Sequence, residues 1–461
     1  MKLGISGVIG LAALLMAGCN NSTVAAFEKA AAELPVAEAA AKKLGLPLTG
    51  ADLMPKTPVR PEDNAAPLIL EAGKAYRLAG SQSRGWEQSL GQAFADPTPA
   101  NLAKAQATLQ PFNAALDQAV RAAAKPEVDF GHDWDSDEPW NLTFPEYSEG
   151  KNLVKGLSYR AQLRTRRGDT AGALSDLQAA AAMGRFMGSE PTLIGGLVRV
   201  AIDALVVRSM EYAITIRAGD MSFLQDLDAL AAPHAAESVD MLHALRGEIV
   251  FNVTAASAPA ERLLPMASGS VDEADTAGLA NQADWKRRLA PAGVPESVRT
   301  EAFRARALQP WVELYADPEV RKDPMALVRR MEDLDKRLSN DPDPTLAVHQ
   351  ILFPVLAGAG DALVTGRARW QAVRGLMAVL RFKGAQGRYP ATLAEAGFTD
   401  VDPFTGKAFH LKVEGETVRV YSVGPDGVDN GGEERVNTAP DAPRQMDIVS
   451  MFPRRVNAPP K

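Results

Sequence analysis

From residue 25 to residue 385 the apolar positions recur at three- and four-residue spacing, in stretches broken by proline, glycine and acidic runs. That spacing gathers apolar side chains on one face of a helix. Alanine fills many of the intervening positions and favours helix because it loses no side-chain entropy there. Period-two alternation comes only near the C-terminus. Phe409, Leu411 and Val413 alternate with His410 and Lys412, Glu414-Gly415-Glu416 turns the chain, and residues 418–423 return. The expected fold is mainly α: a helical bundle or array of helix hairpins, then a small α+β C-terminal domain. Its sheet would be an antiparallel hairpin, to which "DIVSMF" (447–452) adds a third strand.

Breakers set the expected boundaries. Residues 25–45 give two short helices divided at Pro35. After a proline-rich connector (46–64), Asp63 or Asn64 caps a helix that tolerates Pro67 in its first turn. A helical pattern covers Pro99 to Lys125, and an acidic, aromatic, proline-bearing stretch covers 126–150. Helices are expected at 149–168, 170–187, 190–217, 220–232 and 235–254, then at 299–316, 324–338, 343–364 and 366–385. The Ser/Ala/Gly/Pro-rich stretch 255–298 reads as a seam with one short helix. The expected order is a 1–18 signal peptide, a 19–24 tether, a helical domain (25–254) continued at 299–365, and a C-terminal domain (366–461).

The chain has one cysteine, Cys19, so no internal disulfide is available. Lys2 precedes an apolar run, Gly4 to Leu15, which falls short of the roughly 20 residues a membrane helix needs. It suits a cleaved signal peptide. Leu15-Met16-Ala17-Gly18-Cys19 resembles the bacterial lipobox, which implies lipidation of Cys19 and an acyl anchor, palmitate among its chains. By the same resemblance, Asn20 after the cysteine favours the outer membrane, with the chain on the periplasmic side. The apolar stretch 190–214 carries Arg199, Asp203, Arg208 and Glu211 and reads as a core helix, not a membrane span.

Gly168-Asp169, Ala173-Leu174, Leu177 and Ala180 resemble the turn and second helix of a tetratricopeptide hairpin. There is one copy and no repeat of about 34 residues, so no regular solenoid is expected. The tail resembles another family. "GRYP", "DPFTGK", a hairpin, "YSVGPDG", Gly431-Gly432-Glu433 and Asp447-Ile448 follow the order seen in major pseudopilins of type II secretion, over roughly 366–452. The resemblance implies a calcium ion held by Asp426, by Asp429 or Glu433, and by Asp447, with carbonyls near Val423. Hard oxygens on a glycine-rich loop suit that ion. Residues 434–446 are an insertion relative to the compact family loop, and the lipobox replaces the family's N-terminal assembly helix.

Catalytic motifs are sparse. The five histidines show no zinc spacing, and Ser148 and Lys151 match S-x-x-K in isolation, with Ser148 serving as a helix N-cap. His132, Asp133, Trp134, Asp135 and Trp140 form a candidate ligand-binding loop, in which aromatic faces and carboxylates could hold a sugar or cation. The same loop also reads as a long connector pinned by its aromatics. A net charge of −7 gives no footprint for nucleic acid. The expected function is a non-catalytic, lipid-anchored binding or scaffold protein of the cell envelope, with envelope proteins as partners and links to secretion or pilus-like machinery. The alternative is an envelope hydrolase or glycan-binding protein using the loop at 129–147.

Overall fold

A computed structural model describes residues 21–237, 241–268, 276–352, 359–433 and 447–454. The first helices are α1 (21–32), α2 (Leu34–Leu44), α3 (Ala66–Gln82), α4 (Trp86–Ala95), α5 (Pro99–Leu109) and α6 (Asn113–Ala123). The long central helices are α7 (Pro145–Arg167), α8 (Thr170–Met187) and α9 (Leu193–Ile216). Next come α10 (Met221–Ala236), α11 (Met241–Ala255), α12 (Ala260–Ser268), α13 (Thr276–Leu289) and α14 (Glu296–Ala316). Then follow α15 (Pro324–Ser339), α16 (Ala347–Leu352) and α17 (Gly360–Gln386). A sheet closes the chain, with β1 (His410–Glu414), β2 (Thr417–Ser422) and β3 (Ile448–Phe452) antiparallel in that order. The fold is thus mainly helical with a small C-terminal three-stranded sheet.

The chain divides into two compact units that alternate along the sequence. The smaller holds residues up to Met54, Asp133–Leu142 and Leu245–Gly360; the larger holds Pro55–His132, Thr143–Ala244 and Asp361 onward. This division cuts the chain elsewhere than the sequence-based boundaries do. Residues 255–298 carry two helices, α12 and α13, whose Leu263 and Leu289 are buried in one core with Phe27, Phe303 and Val348. Apolar side chains spaced for burial outweigh the loop-like composition of that stretch. The described residues of 366–452 share a core with the helices of the larger unit, since Trp370, Leu376, Val418 and Val420 cluster with Ile69, Leu157 and Val206.

In the larger unit α7, α8 and α9 pack side by side. Gly168 takes the left-handed conformation at the end of α7 (φ 84°), and the Asp169 carboxylate accepts the Gly172 N–H at 2.9 Å to start α8. Ala173, Leu177 and Ala180 are then fully buried, so small side chains let the helices close up. Within this packing the Arg160 guanidinium forks onto Asp176, with contacts of 2.7–3.1 Å, and its other arm reaches Asp117 at 2.6 Å. Arg199, Asp203 and Glu211 of α9 are likewise buried, and no helix among the described residues is long and apolar enough to cross a membrane.

Several boundaries differ from expectation for local reasons. The 99–125 pattern is two helices, because a 3₁₀ turn at Gln110–Phe112 absorbs Pro111. α7 begins at Pro145, so Ser148 lies inside the helix and is not its cap. α10 carries Pro233 in its last turn and runs on to Ala236. α17 continues through Gly366, which packs against Val200 of α9. Residues 391–397 form turns, in which Glu395 accepts the Ala391 N–H at 2.5 Å and pairs with Arg388 at 2.6 Å.

Candidate functional site

The tail loop is built where β2 ends and β3 begins. Asp402, in the "DPFTG" turn, is 1% exposed, and its Oδ1 accepts the Phe404 N–H and the Ser422 hydroxyl, each at 2.9 Å. The Ser422 Oγ in turn accepts the Gly424 N–H at 3.0 Å. The "DPFTG" and "YSVG" segments are therefore joined through one buried carboxylate. Sequence reading gave Asp402 no role, although its place before proline in a turn was visible.

The four carboxylates of the expected ion site are placed unequally. Asp447 is buried; its Oδ2 accepts the Gly432 N–H at 2.7 Å and its Oδ1 the Asn430 N–H at 3.2 Å. Burial, reinforced by the charges of Asp429 and Asp426, holds its carboxyl above the ordinary range despite those two amides. Asp429 accepts the Gly431 N–H at 2.8 Å and the Tyr421 hydroxyl at 3.1 Å, and His410 stands 3.4 Å away. The Gly431 amide is the chief reason its carboxyl lies below the usual value. Asp426 accepts the Val428 N–H at 3.1 Å, and Glu433 is exposed. Among the described residues no three His, Cys, Asp or Glu side chains are gathered closely enough to hold a metal ion.

The candidate ligand-binding loop is divided between the units. Asp133, Trp134, Asp135 and Trp140 belong to the smaller one. Trp134 is 5% exposed and stacks on Phe251 with ring centres 6.5 Å apart. Trp140 packs against that unit's core, Asp135 accepts the Ala51 N–H at 3.3 Å, and Asp133 is exposed. Both indoles thus serve as packing groups. Asp135 and Asp137 do border a polar cleft of about 420 Å³ with Thr49, Ser257, Arg262 and Arg304.

His132 belongs to the larger unit, where the structure gives it partners that the sequence did not indicate. Its Nε2 lies 3.0 Å from Oε1 of Glu146, which is 2% exposed, and Phe144 meets the imidazole edge-on at 4.7 Å. Glu190 is buried close by, and burial, with the nearby charges of Glu146 and Asp129, pushes its carboxyl up to about 7 against the pull of His132. Burial disfavours the His132 cation, but the Glu146 contact and the charges of Glu190, Glu146 and Asp129 outweigh it, so the imidazole titrates above its ordinary value. Such a group can hold and pass a proton near neutrality. Glu190 lies far along the chain in an ordinary "GSEPT" turn, with no local signal of burial.

Ser148 and Lys151 are both exposed on α7, one turn apart. Cys19 lies outside the described residues, as do residues 434–446. No protein-family model, no curated protein and no solved structure matches this chain.

Proposed function

We propose that this protein is a lipid-anchored, non-catalytic binding or scaffold component of the bacterial cell envelope, associated with secretion or pilus-like machinery. The observation that carries this reading is the way the pseudopilin-like tail is built into the helical unit. α17 delivers the chain to the sheet, Val418 and Val420 share the helical core, and Arg454 is held against Glu211 by a buried ion pair of 2.6 Å. A tail held in this way presents its loop from a rigid support, as a docking element requires. The sequence supports the anchoring half of the reading, because the sole cysteine closes "LMAGC" after a short apolar run. In cells fed radiolabelled palmitate, the wild-type product should take up label and Cys19→Ser should not. Crosslinking in those cells should recover secretion-channel or filament components. Label that persists in the serine variant would remove the anchor from this account.

A calcium ion in the tail is a second reading, favoured by the charge crowding at Asp447. The loop would have to draw Asp426, Asp429 or Glu433, and Asp447 closer together around the ion, which would supply the positive charge that relieves their mutual repulsion. An ion that binds only the folded chain raises its stability by mass action, by about 2.7 kcal/mol at a hundred times its dissociation constant. The full chain should therefore melt lower in chelator than in millimolar calcium, and Asp447→Asn or Asp426→Ala should erase the difference. Superimposable wild-type melts would exclude the ion.

A further inference from the structure

A second cavity lies wholly within the larger unit, between α4, α7 and α9, and encloses about 240 Å³. α7 contributes Lys155, Ser158, Tyr159 and Gln162, and α9 contributes Leu205, Arg208, Ser209 and Tyr212. Both sets follow the same i, i+3, i+4, i+7 spacing, so each helix turns one continuous face toward the cavity. Phe94 of α4 adds to the wall. Tyr159 is itself fixed in an aromatic chain, 5.8 Å from Trp86 and 6.1 Å from Phe94 between ring centres. At the rim, Lys155 and Glu87 stand 3.4 Å apart, both partly exposed.

The polar groups on these walls distinguish the cavity from a packing defect. Ser158, Gln162 and Ser209 are 7%, 5% and 4% exposed. The Ser158 Oγ and the Gln162 Oε1 are buried with no hydrogen-bond partner in the protein. Buried polar atoms are nearly always paired, and leaving one unpaired is costly. A simple core would place leucine or alanine at both positions. The volume exceeds the roughly 150 Å³ that suffices for benzene, yet it is too small for a folded peptide segment.

We propose that this cavity binds a small one- or two-ring aromatic molecule whose N–H or O–H group donates to Gln162 and Ser158, with the ring lying against Phe94, Tyr159 and Tyr212. The site goes beyond the anchoring and docking reading and does not depend on it. Ring faces supply offset or edge-on contacts, and the two acceptors select for a donor on the ligand.

Calorimetric titration of the purified full chain with indole and with indene tests the site, because the two differ chiefly in the N–H. Indole should bind saturably at one site, and indene at least tenfold more weakly, since it leaves the acceptors unpaired. Gln162→Leu should fold with undiminished thermal stability and lose the preference, binding indene at least as well as indole. Ser209→Phe, which places a ring inside the cavity, should bind neither. Absence of saturable indole binding, equal affinity of the wild type for the two probes, or a preference retained in Gln162→Leu would each overturn the proposal. The leucine variant keeps the test decisive if the phenylalanine variant fails to fold.

Discussion

Arg454 Nε lies 2.6 Å from Glu211 Oε2, with the two side chains 6% and 1% exposed. The pair joins the segment after β3 to the C-terminal end of α9, and the Arg454 N–H adds a 2.8 Å bond to the Thr215 hydroxyl. Removing one partner strands a buried charge, which costs about 3–5 kcal/mol. Arg454→Met should lower the urea midpoint by a corresponding amount. The double variant Arg454→Met/Glu211→Met should recover most of the loss, because no charge is left behind.

Glu190 gives stability a pH dependence with a definite sign. Its carboxyl titrates near 7 in the fold and near 4.5 when free, so between those values the fold holds a proton that the unfolded chain has lost. The stability from this group is full below about pH 4.5 and is lost as the pH rises through about 7, on the order of 3 kcal/mol in all. His132, also raised, acts in the same direction. Denaturant titrations across pH 4.5–8 should show this fall in the wild type and a shallower one in Glu190→Gln.

His234 works in the opposite direction. It is buried, stacks on Trp370 at 4.6 Å, and is pushed down to about 4 by burial and by the charges of Arg185 and Arg199, against Glu237. The unfolded imidazole gains its proton near 6.5. Stability from the neutral ring is therefore present above that pH and lost as the pH falls through about 4, again on the order of 3 kcal/mol. His234→Phe keeps the stacking and removes the titration. It should unfold at a lower pH than the wild type when acid unfolding is followed by circular dichroism.

Gly375 marks where α17 crosses the sheet. A Cβ there would sit 2.9 Å from Val420 Cγ1 and 3.2 Å from Phe398 Cε1, closer than packed atoms tolerate. Overpacking of this kind typically costs about 1–3 kcal/mol. Gly375→Ala should lower the melting temperature. Pairing it with Val420→Ala should restore part of the loss, because that change opens room on the sheet side.

How much of this was legible depended on whether the cause was local. Gly168-Asp169 announced the α7–α8 hairpin because a left-handed cap and a capping carboxylate are written in adjacent residues. The sheet was legible because alternation from Phe409 to Val423 fixes which face is buried, and the third strand followed from the same logic. Tertiary causes were hidden. The break expected between 364 and 366 is absent, with Gly366 packed against Val200 inside one helix, and 255–298 reads as a linker until Leu263 and Leu289 are found in a core. The aromatics at 130–144 read either as a binding surface or as pins for a long connector, and the sequence does not show that the chain changes unit between His132 and Asp133. Asp426, Asp429, Glu433 and Asp447 stand out in the sequence, but the amides that donate to the three aspartates do not; Glu190, Ser158 and Gln162 are notable only through burial that no motif announces.

The alternation of the two units bears on how the chain is made. Glu33 pairs with Arg306 at 2.5 Å and Glu38 with Arg304 at 2.9 Å, across 273 and 266 residues of sequence. Glu33 and Glu38 thus wait for partners that are synthesised about two-thirds of the way along the chain, and contacts so distant in sequence form slowly because a large loop must close before they are rewarded. A polypeptide built this way leaves its smaller unit unfinished until Arg304 and Arg306 have been made, so its earliest helices spend most of synthesis without their partners.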